Sequence, residues 1–420
     1  MTATKRLLAI SWEMPPMYGP RATQVSRLLG ALTPLGWRSE VVCMDPRRGG
    51  PHWRDGVDAT LPDGVEPLRV ASPEEQTLVR AARRVFSSLR HSPDPQSVWI
   101  EPATSAALAN VRSAAPSGLV SFAQPWSDHL VGLRVHRVTQ LPWVPHFSDP
   151  WADSPYLQTA GPHRNAAAAL EADVIREATA VVFVTDETAD LVMKKYPREW
   201  REKVAVVPHG FDAGTGGPTA SRRPGPLRIV YTGRFYSGIR TPTTLLHALA
   251  QLKTRTPLED VIEIDIVGPH VLEFSRESSA LGLENVVRWR DRVSPAEARA
   301  IAADADVLLV IDAPSVGPSP FLPSKLVDYL PLRKPIFGVT PLEGATARLL
   351  TRLGCPVAAP DDAEGVERAL ADLLKRWREG VLRVEPQFAR VADEFDIRRV
   401  AAQFDSVLTR AFDVVRAESA

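Results

Sequence analysis

The sequence has little of several features that mark whole classes of protein. Only two of its 420 residues are cysteine, Cys43 and Cys355, which is too few for a disulfide framework and favours a reducing compartment. Fifty basic and fifty acidic side chains give a formal net charge of zero, so the chain lacks the uniformly basic character of proteins that coat nucleic acid. Its longest apolar runs, such as Val307–Ile311, are far shorter than the ~20 residues of a membrane-spanning helix. We therefore expect a cytoplasmic protein.

Several short motifs with a defined chemistry are also absent. There is no P-loop, no Gly-x-Ser-x-Gly elbow and no Gly-x-Gly-x-x-Gly fingerprint, which disfavours P-loop nucleotide hydrolases, α/β-hydrolases and nicotinamide-dependent dehydrogenases. No cluster of Cys and His has the spacing of a zinc site. Peripheral contact with the inner face of a membrane stays open. The basic residues 80–90 suit anionic lipid, although a solvated helix face explains them as well.

Short runs rich in β-branched residues alternate with amphipathic helical patterns along nearly the whole chain. Continuous apolar strands separated by helices predict parallel sheets buried on both faces, and hence an α/β fold with doubly wound, Rossmann-like sheets. The predicted strands are residues 6–11, 39–43, 97–100, 118–122, 143–147, 180–184, 203–207, 227–232, 262–267, 286–289, 307–311 and 335–339.

The composition also predicts how the chain is divided. Residues 213–226 combine glycine, proline and small polar residues without apolar periodicity, which is typical of a linker. We therefore expect one Rossmann-like domain over residues 1–212 and a second over 227–395. Residues 396–420 follow the second domain, and we expect their helix to pack back on the first. Two such domains face each other across a cleft at the carboxyl ends of their strands, where ligands of these sheets bind.

The segment that opens the second domain carries the pattern of an anion site. Its first strand ends at Thr232 and is followed by Gly233 and Arg234, and Arg240 precedes a helix predicted to start at Thr241-Pro242. The free amides of a helix start favour an anion, and guanidinium groups suit phosphate oxygens. The alternative is a tight turn with two solvated arginines.

A second candidate segment is PFLPSKLVDYL, residues 320–330. Pro323 suits a first helical turn, which would place Lys325 and Asp328 on one face and leave Leu326 and Leu330 for the core. A lysine near a helix start is unfavourable unless it is solvated or accompanied by an anion. An intrahelical Lys–Asp pair is the competing interpretation.

The first domain has polar and aromatic side chains just beyond its strands, as expected for a ligand with hydroxyl groups and an apolar face. These residues are Trp126, Asp128, His129, His146, Asp149 and Trp151. A lone His or Trp is more often a packing residue, and only the clustering favours a site. The loop of residues 12–22 adds Gly19 and Arg21 at the start of the first long helix.

Taken together and in order, these segments resemble the GT-B glycosyltransferases, and within them the retaining glycosyltransferase family 4. The resemblance is carried by residues 15–21, PWVPHFSDPW, VVFVTDETADLV, VVPHGFD, YTGRFYSGIR and FLPSKLVDYLPLRKPIFGV, and it covers nearly the whole chain. It implies a hexosyltransferase that moves a sugar from a nucleoside diphosphate sugar to a hydroxyl of a glycan, lipid-linked or small-molecule acceptor, as in polysaccharide assembly. UDP is favoured by family frequency, with GDP and ADP as alternatives.

The resemblance implies a role for residues of both domains. In the second domain Arg234 and Arg240 would bind the diphosphate, Lys325 and Asp328 would lie at the phosphate and ribose, and Gly268 with Arg290 to Val293 would line the base pocket. In the first domain Gly19 would lie beneath the diphosphate, and His146, Ser148 and Asp149 would face the reacting hydroxyl. Further substrate contacts are expected from Arg21, His129, Gly233, Thr241 and Ser324.

Two departures from the family pattern stand out. Pro320 occupies the place of the first carboxylate of the family motif, so the group that contacts the transferred sugar is not identified. Ser148 stands where the related branch has an arginine. A non-catalytic binding or scaffold protein and a sugar-nucleotide epimerase of the same fold are the alternative functions.

The mechanism implied by the resemblance is front-face substitution with retained anomeric configuration. The departing phosphate would take the acceptor proton, and Arg234, Arg240 and the helix start at Thr241 would stabilise its charge. Because these cations neutralise the diphosphate and no Asp-x-Asp pair lies in a suitable place, we expect no metal and no other cofactor. Domain closure would exclude water.

Overall fold

The structure is a computed structural model that describes residues 5–17, 19–46, 60–72, 93–156, 162–215, 225–269 and 271–418. The chain divides into two compact units. The first unit comprises Met1–Gly210 together with Ile397–Ala420, and the second comprises Phe211–Asp396. The expected linker, residues 213–226, and the basic residues 80–90 lie mostly or wholly outside the described residues.

The first unit is built on a parallel sheet of seven described strands in the order β3-β2-β1-β4-β5-β6-β7. The strands are β1 Lys5–Ile10, β2 Trp37–Met44, β3 Val65–Val70, β4 Gly118–Ala123, β5 Trp143–Phe147, β6 Val181–Phe183 and β7 Val204–Val206. The alternating helices are α1 Pro20–Leu32, α2 Ile100–Ala114, α3 Ser127–Thr139, α4 Pro162–Glu177 and α5 Asp186–Met193.

The second unit repeats this arrangement with six described parallel strands in the order β10-β9-β8-β11-β12-β13. The strands are β8 Leu227–Thr232, β9 Ile262–Val267, β10 Val287–Arg290, β11 Val307–Ile311, β12 Ile336–Val339 and β13 Val357–Ala358. The helices are α6 Thr243–Arg255, α7 Leu272–Ala280, α8 Pro295–Ala303, α9 Ser324–Tyr329, α10 Ala345–Leu353, α11 Ala363–Arg378 and α12 Phe388–Ala392. The predicted fold class of doubly wound α/β sheets is therefore confirmed.

The last helix, α13 (Ile397–Glu418), packs against the first unit. Phe404 lies in the same apolar cluster as β1 and β4, and its ring centroid is 6.4 Å from that of Phe122. Trp37 contacts Phe412 edge-on at 5.8 Å and donates a 2.7 Å hydrogen bond from Nε1 to Asp405. The described part of the chain contains no helix long and apolar enough to cross a membrane.

One predicted strand is wrong, and two strands, β3 and β13, were not predicted. Residues 97–100 belong to the 3₁₀ turn Pro95–Trp99 and the first residue of α2, with the Asp94 side chain capping the turn. Their apolar run is too short for periodicity to distinguish a strand from a buried helix start. Strand β3 contains Pro67, which weakens a strand signal and is tolerated at the sheet edge, and β13 has only two residues.

The predicted helix starts are partly right. Ser294 caps α8 by accepting a 3.2 Å hydrogen bond from the Glu297 amide, with Pro295 at the first helical position. The other two prolines are placed differently, because Pro242 and Pro323 occupy the cap positions of α6 and α9 rather than the first turn. Leu326 and Leu330 are fully buried, as the helical pattern predicts.

Candidate functional site

The carboxyl edge of the second unit's sheet holds a half-buried lysine whose ammonium group is buried without a hydrogen bond. Lys325 is the second residue of α9, and its Nζ is buried and has no hydrogen-bond partner. The nearest aromatic ring is that of Tyr231 on β8, whose centroid lies 3.6 Å from Nζ. Burial and the nearby positive charge of Arg240 lower the pKa of Lys325 well below its ordinary value, and Asp312 opposes this shift. A desolvated cation without a hydrogen bond is expensive in an isolated protein, so this position favours an anionic ligand.

The backbone leaves room for this ammonium group only because residue 233 is glycine. A Cβ on Gly233 would lie 2.5 Å from Nζ of Lys325, and φ at this residue is +138°, in the region that favours glycine. Gly268, at the end of the neighbouring strand β9, is also required, because a Cβ there would overlap the carbonyl oxygen of Gly233. Both predicted glycines therefore shape the edge of the sheet next to Lys325.

The loop that follows β8 brings two arginines to one tyrosine. The guanidinium carbons of Arg240 and Arg234 lie 5.1 and 5.9 Å from the ring centroid of Tyr236. Arg240 donates a 2.9 Å hydrogen bond from Nη2 to the carbonyl of Arg234, whereas its Nε is buried without a partner. Arg234 is exposed. Thr241 follows in the same loop, just before α6 begins.

Asp312, at the end of β11, supplies buried negative charge to this region. It accepts a 2.9 Å hydrogen bond from Oγ1 of Thr340, and burial raises its pKa. Among the described residues, neither Lys325 nor Arg240 lies within salt-bridge distance of a carboxylate. Asp312 therefore balances the two cations only at longer range.

The residues expected near the nucleoside have mixed surroundings. The Arg290 side chain forms a two-point interaction with buried Asp265 at 2.8 and 3.2 Å, so it offers a ligand mainly its backbone. Val293 and Ser324 are half-buried, and Asp328 is exposed one turn after Lys325 on α9.

Pro320, in the place of the family carboxylate, is buried. The adjacent Ser319 forms two 2.9 Å backbone hydrogen bonds with the segment after β12. Its amide donates to the carbonyl of Glu343, and its carbonyl accepts from the amide of Ala345. The exposed side chain of Glu343 consequently lies on the neighbouring loop.

In the first unit, Arg21 is the centre of a buried polar cluster. This residue of α1 is 8% exposed, and its Nη2 donates a hydrogen bond to Oγ of Ser148 while Nη1 is buried without a partner. Ser148 in turn lies 3.1 Å from Oδ2 of Asp149. Burial lowers the pKa of Arg21, and the carboxyl groups of Asp149, Glu13 and Asp128 oppose this shift. Arg21 thus supplies a guanidinium group beside Asp149, whose preceding residue in this chain is a serine.

The predicted histidines of the first unit are surrounded by rings. His146 lies 5.3 Å from Phe122, 6.0 Å from Phe404 and 5.9 Å from His209, and burial lowers its pKa to about 3. Its imidazole is therefore neutral near pH 7, and Nδ1 has no hydrogen-bond partner. His129 packs 4.4 Å from Phe147, with Nδ1 2.8 Å from Oγ of Ser121.

The two tryptophans at these strand ends pack together. Trp126 and Trp151 are buried and stacked in parallel with their ring centroids 4.9 Å apart. This contact makes both tryptophans packing residues of the core, which was the alternative to a role in a binding site.

Glu13 is a residue that sequence reasoning did not single out. Its Oε2 lies 2.6 Å from the place where a Cβ on Gly19 would be, and its carboxylate accepts a hydrogen bond from the Ala22 amide. Burial raises the pKa of Glu13, and Arg21 opposes this. The start of α1, the expected diphosphate position, thus already faces a carboxylate of the chain itself. No local pattern marks Glu13, since a single acidic residue in a proline-rich loop has many explanations.

Among the described residues no group of three or more His, Cys, Asp or Glu is arranged to hold a metal ion.

Comparison with solved structures shows that the chain has the GT-B fold. It is similar over 97% of its length to all of Anabaena HepE, solved with UDP, with a TM-score of 0.64 and 15% identity. It is similar over 98% to 98% of sucrose-phosphate synthase from Thermosynechococcus elongatus (TM-score 0.65, 14% identity). The chain is also similar, over 98% of its length, to 97% of a putative UDP-N-acetylglucosamine 2-epimerase from Listeria monocytogenes (TM-score 0.59, 13% identity). No protein-family model and no curated protein sequence matches the chain.

Proposed function

We propose that this protein is a glycosyltransferase whose second unit binds a nucleoside diphosphate sugar. The observation that carries the proposal is the buried Nζ of Lys325, which has no hydrogen bond and lies within range of the positive charge of Arg240, whose Nε is also buried without a partner. A diphosphate supplies the negative charge and the acceptor oxygens that these groups lack. HepE, which has the same fold, was solved with UDP, so UDP is the nucleotide we favour.

The ribose and the base of the donor would bind along the same edge of the sheet. Asp328 offers a carboxylate to the ribose diol one turn beyond Lys325. Gly268 and the backbone from Arg290 to Val293 would line the base pocket, since the Arg290 side chain is held by Asp265. Recognition of the base would then depend on backbone groups.

The chemistry we propose is transfer with retention at the anomeric carbon and without a metal ion. As the bond to the sugar breaks, negative charge grows on the departing diphosphate, and Lys325, Arg240 and Arg234 stabilise it electrostatically. A phosphate oxygen takes the proton of the attacking hydroxyl, so no strong protein base is needed. In the first unit, Asp149 and the neutral imidazole of His146 would orient the acceptor hydroxyl.

Calorimetry with UDP, GDP and ADP, with and without EDTA, tests the donor site. We expect one nucleotide to bind, EDTA to have no effect, and Arg240→Ala and Lys325→Ala to weaken binding at least tenfold, because each removes a charged hydrogen-bonding group. Arg255→Ala and Lys375→Ala are matched controls, because Arg255 ends α6 beside Glu367 and Lys375 is an exposed residue of α11. Absence of binding by the wild type would refute the donor site and favour the scaffold alternative.

Proton NMR of a UDP-sugar incubated with the enzyme separates transfer from epimerisation, the alternative that the Listeria structure supports by its fold. With water as acceptor, a retaining transferase releases the sugar with the anomeric configuration of the donor. An inverted product would contradict the retaining mechanism, and a donor whose sugar changes configuration at a ring carbon would indicate an epimerase.

A further inference from the structure

Lys325 has an aromatic partner in place of a carboxylate. Its Nζ lies 3.6 Å from the ring centroid of Tyr231, which is well inside the ~6 Å range of a cation–π interaction. The ring is fully buried, and it stacks on Phe235 with centroids 4.5 Å apart and planes inclined by 6°. Its hydroxyl donates a 3.2 Å hydrogen bond to the carbonyl of Arg234. The ring is therefore fixed at its face and at its edge.

The other charged groups around Lys325 do not explain why an ammonium group is placed there. Arg240, in the loop after β8, repels it, and Asp312, at the end of β11, attracts it only from beyond salt-bridge distance. On its own helix the titratable neighbours are Asp328, which is exposed, and Tyr329, whose hydroxyl is hydrogen-bonded to Thr232. The face of the Tyr231 ring is thus the attractive group in closest contact with Nζ, and in a desolvated site its quadrupole has its largest effect.

We propose that Tyr231 is a positioning residue that holds the Lys325 ammonium group, charged and in place, for the diphosphate of the donor. The inference rests on the proposed function. A carboxylate in this position would neutralise the lysine and compete with phosphate for its protons. An aromatic face stabilises the charge while leaving the N–H groups free to donate to a ligand.

The test varies the ring electronics without changing the shape. Tyr231→Phe and phenylalanines with one, two, three and five fluorine atoms are incorporated at position 231, and UDP affinity is measured by calorimetry. Tyr231→Phe should bind within about fivefold of wild type, since it loses one neutral hydrogen bond. Affinity should then fall progressively with fluorination, by about 30-fold at the end of the series, the equivalent of ~2 kcal/mol.

Two controls separate this electronic effect from a packing effect. The same substitutions at Phe235, which stacks on Tyr231 and has no cation over it among the described contacts, should show no graded loss. In the Lys325→Met background the series at position 231 should have no effect on whatever affinity remains. The inference would be overturned if all variants at position 231 bound UDP equally well in the protein with Lys325. It would also be overturned if affinity fell with fluorination to the same extent in the Lys325→Met protein.

The inference can fail separately from the proposed function. If wild-type protein binds UDP and the series is flat, only the role of Tyr231 is refuted. If wild type binds no nucleotide, NMR titration of ¹³Cε-labelled lysine still tests the contact. The Lys325 pKa should then fall further as the ring is fluorinated, and an unchanged pKa would refute the contact.

Discussion

At the scale of single residues, the candidate donor site depends on groups whose ordinary partners are missing. Lys325 and Arg240 each have a buried nitrogen without a hydrogen bond, and in the first unit Arg21 and His146 do too. By contrast, the buried carboxylate of Asp265 is paired with Arg290 at 2.8 Å. Unpaired buried donors at the carboxyl edges of doubly wound sheets are more readily explained by a ligand than by folding.

Gly233→Ala tests how closely the backbone is fitted to Lys325. A Cβ at this position would displace Nζ, and φ of +138° adds backbone strain. We expect UDP affinity to fall at least tenfold and the free energy of unfolding to fall by about 1–3 kcal/mol. Gly282→Ala is the matched control, because Gly282 also has positive φ (+65°) but only the Lys253 Nζ near its Cβ, at 3.7 Å. It should lose stability and keep its UDP affinity. Equal affinity losses in both variants would mean that strain, rather than the contact with Lys325, causes the effect.

The buried histidines predict acid sensitivity of the first unit. Burial lowers the pKa of His146 to about 3 and those of His129 and His209 well below 6.5. Below pH ~6.5 the unfolded chain takes up protons that the folded chain does not. The contribution of these histidines to stability therefore falls as the pH drops from about 6.5 towards 3, by up to ~1.4 kcal/mol per pH unit for each histidine.

Urea unfolding followed by tryptophan fluorescence at pH 7.5 and 5.5 measures this effect. His146→Phe should lose less stability between the two pH values than wild type, because it removes one of the three groups. His247→Gln, at an exposed position of α6, should behave like wild type. An unchanged pH dependence in His146→Phe would show that this imidazole is protonated in the folded protein.

At the scale of elements, the last helix completes the first unit. The apolar face of α13, with Val400, Phe404 and Leu408, lies in one apolar cluster with residues of β1, β2 and β4. The sequence pattern predicts the helix and its apolar face, because apolar residues recur every three to four positions. From the sequence we also expect this helix to pack on the first domain, whereas the strands that it contacts follow only from the tertiary structure.

Phe404→Ala tests this packing. Removing a fully buried aromatic side chain should destabilise the first unit by about 3–5 kcal/mol, through lost apolar burial and a cavity. Hydrogen exchange should then speed up in β1 and β4 and stay unchanged in β8 and β9. Gln403→Ala, on the exposed face of the same helix, should have little effect. Faster exchange confined to α13 would show that the strands are stable without it.

At the scale of the whole molecule, the two units are separate cores, and the proposed donor site belongs to the second. A ligand that binds one folded unit stabilises that unit by mass action, by about 2.7 kcal/mol at a hundredfold excess over Kd. Hydrogen exchange with saturating UDP should therefore protect the loop after β8 and the start of α9 most strongly. Protection that appears only in β1, β4 and β5 would contradict the assignment of the donor to the second unit.

The sequence alone determined the α/β fold class and most strands, because continuous apolar runs between amphipathic helices have few other solutions. Local pattern and family resemblance also singled out Lys325, Arg240 and Gly233 as candidate site residues. The contacts of Tyr231 with Lys325, of Glu13 with Gly19 and of Arg21 with Ser148 were decided by the tertiary structure. The contacts of Tyr231 with Lys325 and of Arg21 with Ser148 join residues of different elements, and a local pattern carries no information about which side chains the sheet order brings together. Glu13 and Gly19 lie in the one loop between β1 and α1, whose conformation no sequence pattern indicated. The strand predicted at residues 97–100 failed for the same reason, since only packing decides whether a short buried apolar run extends or coils.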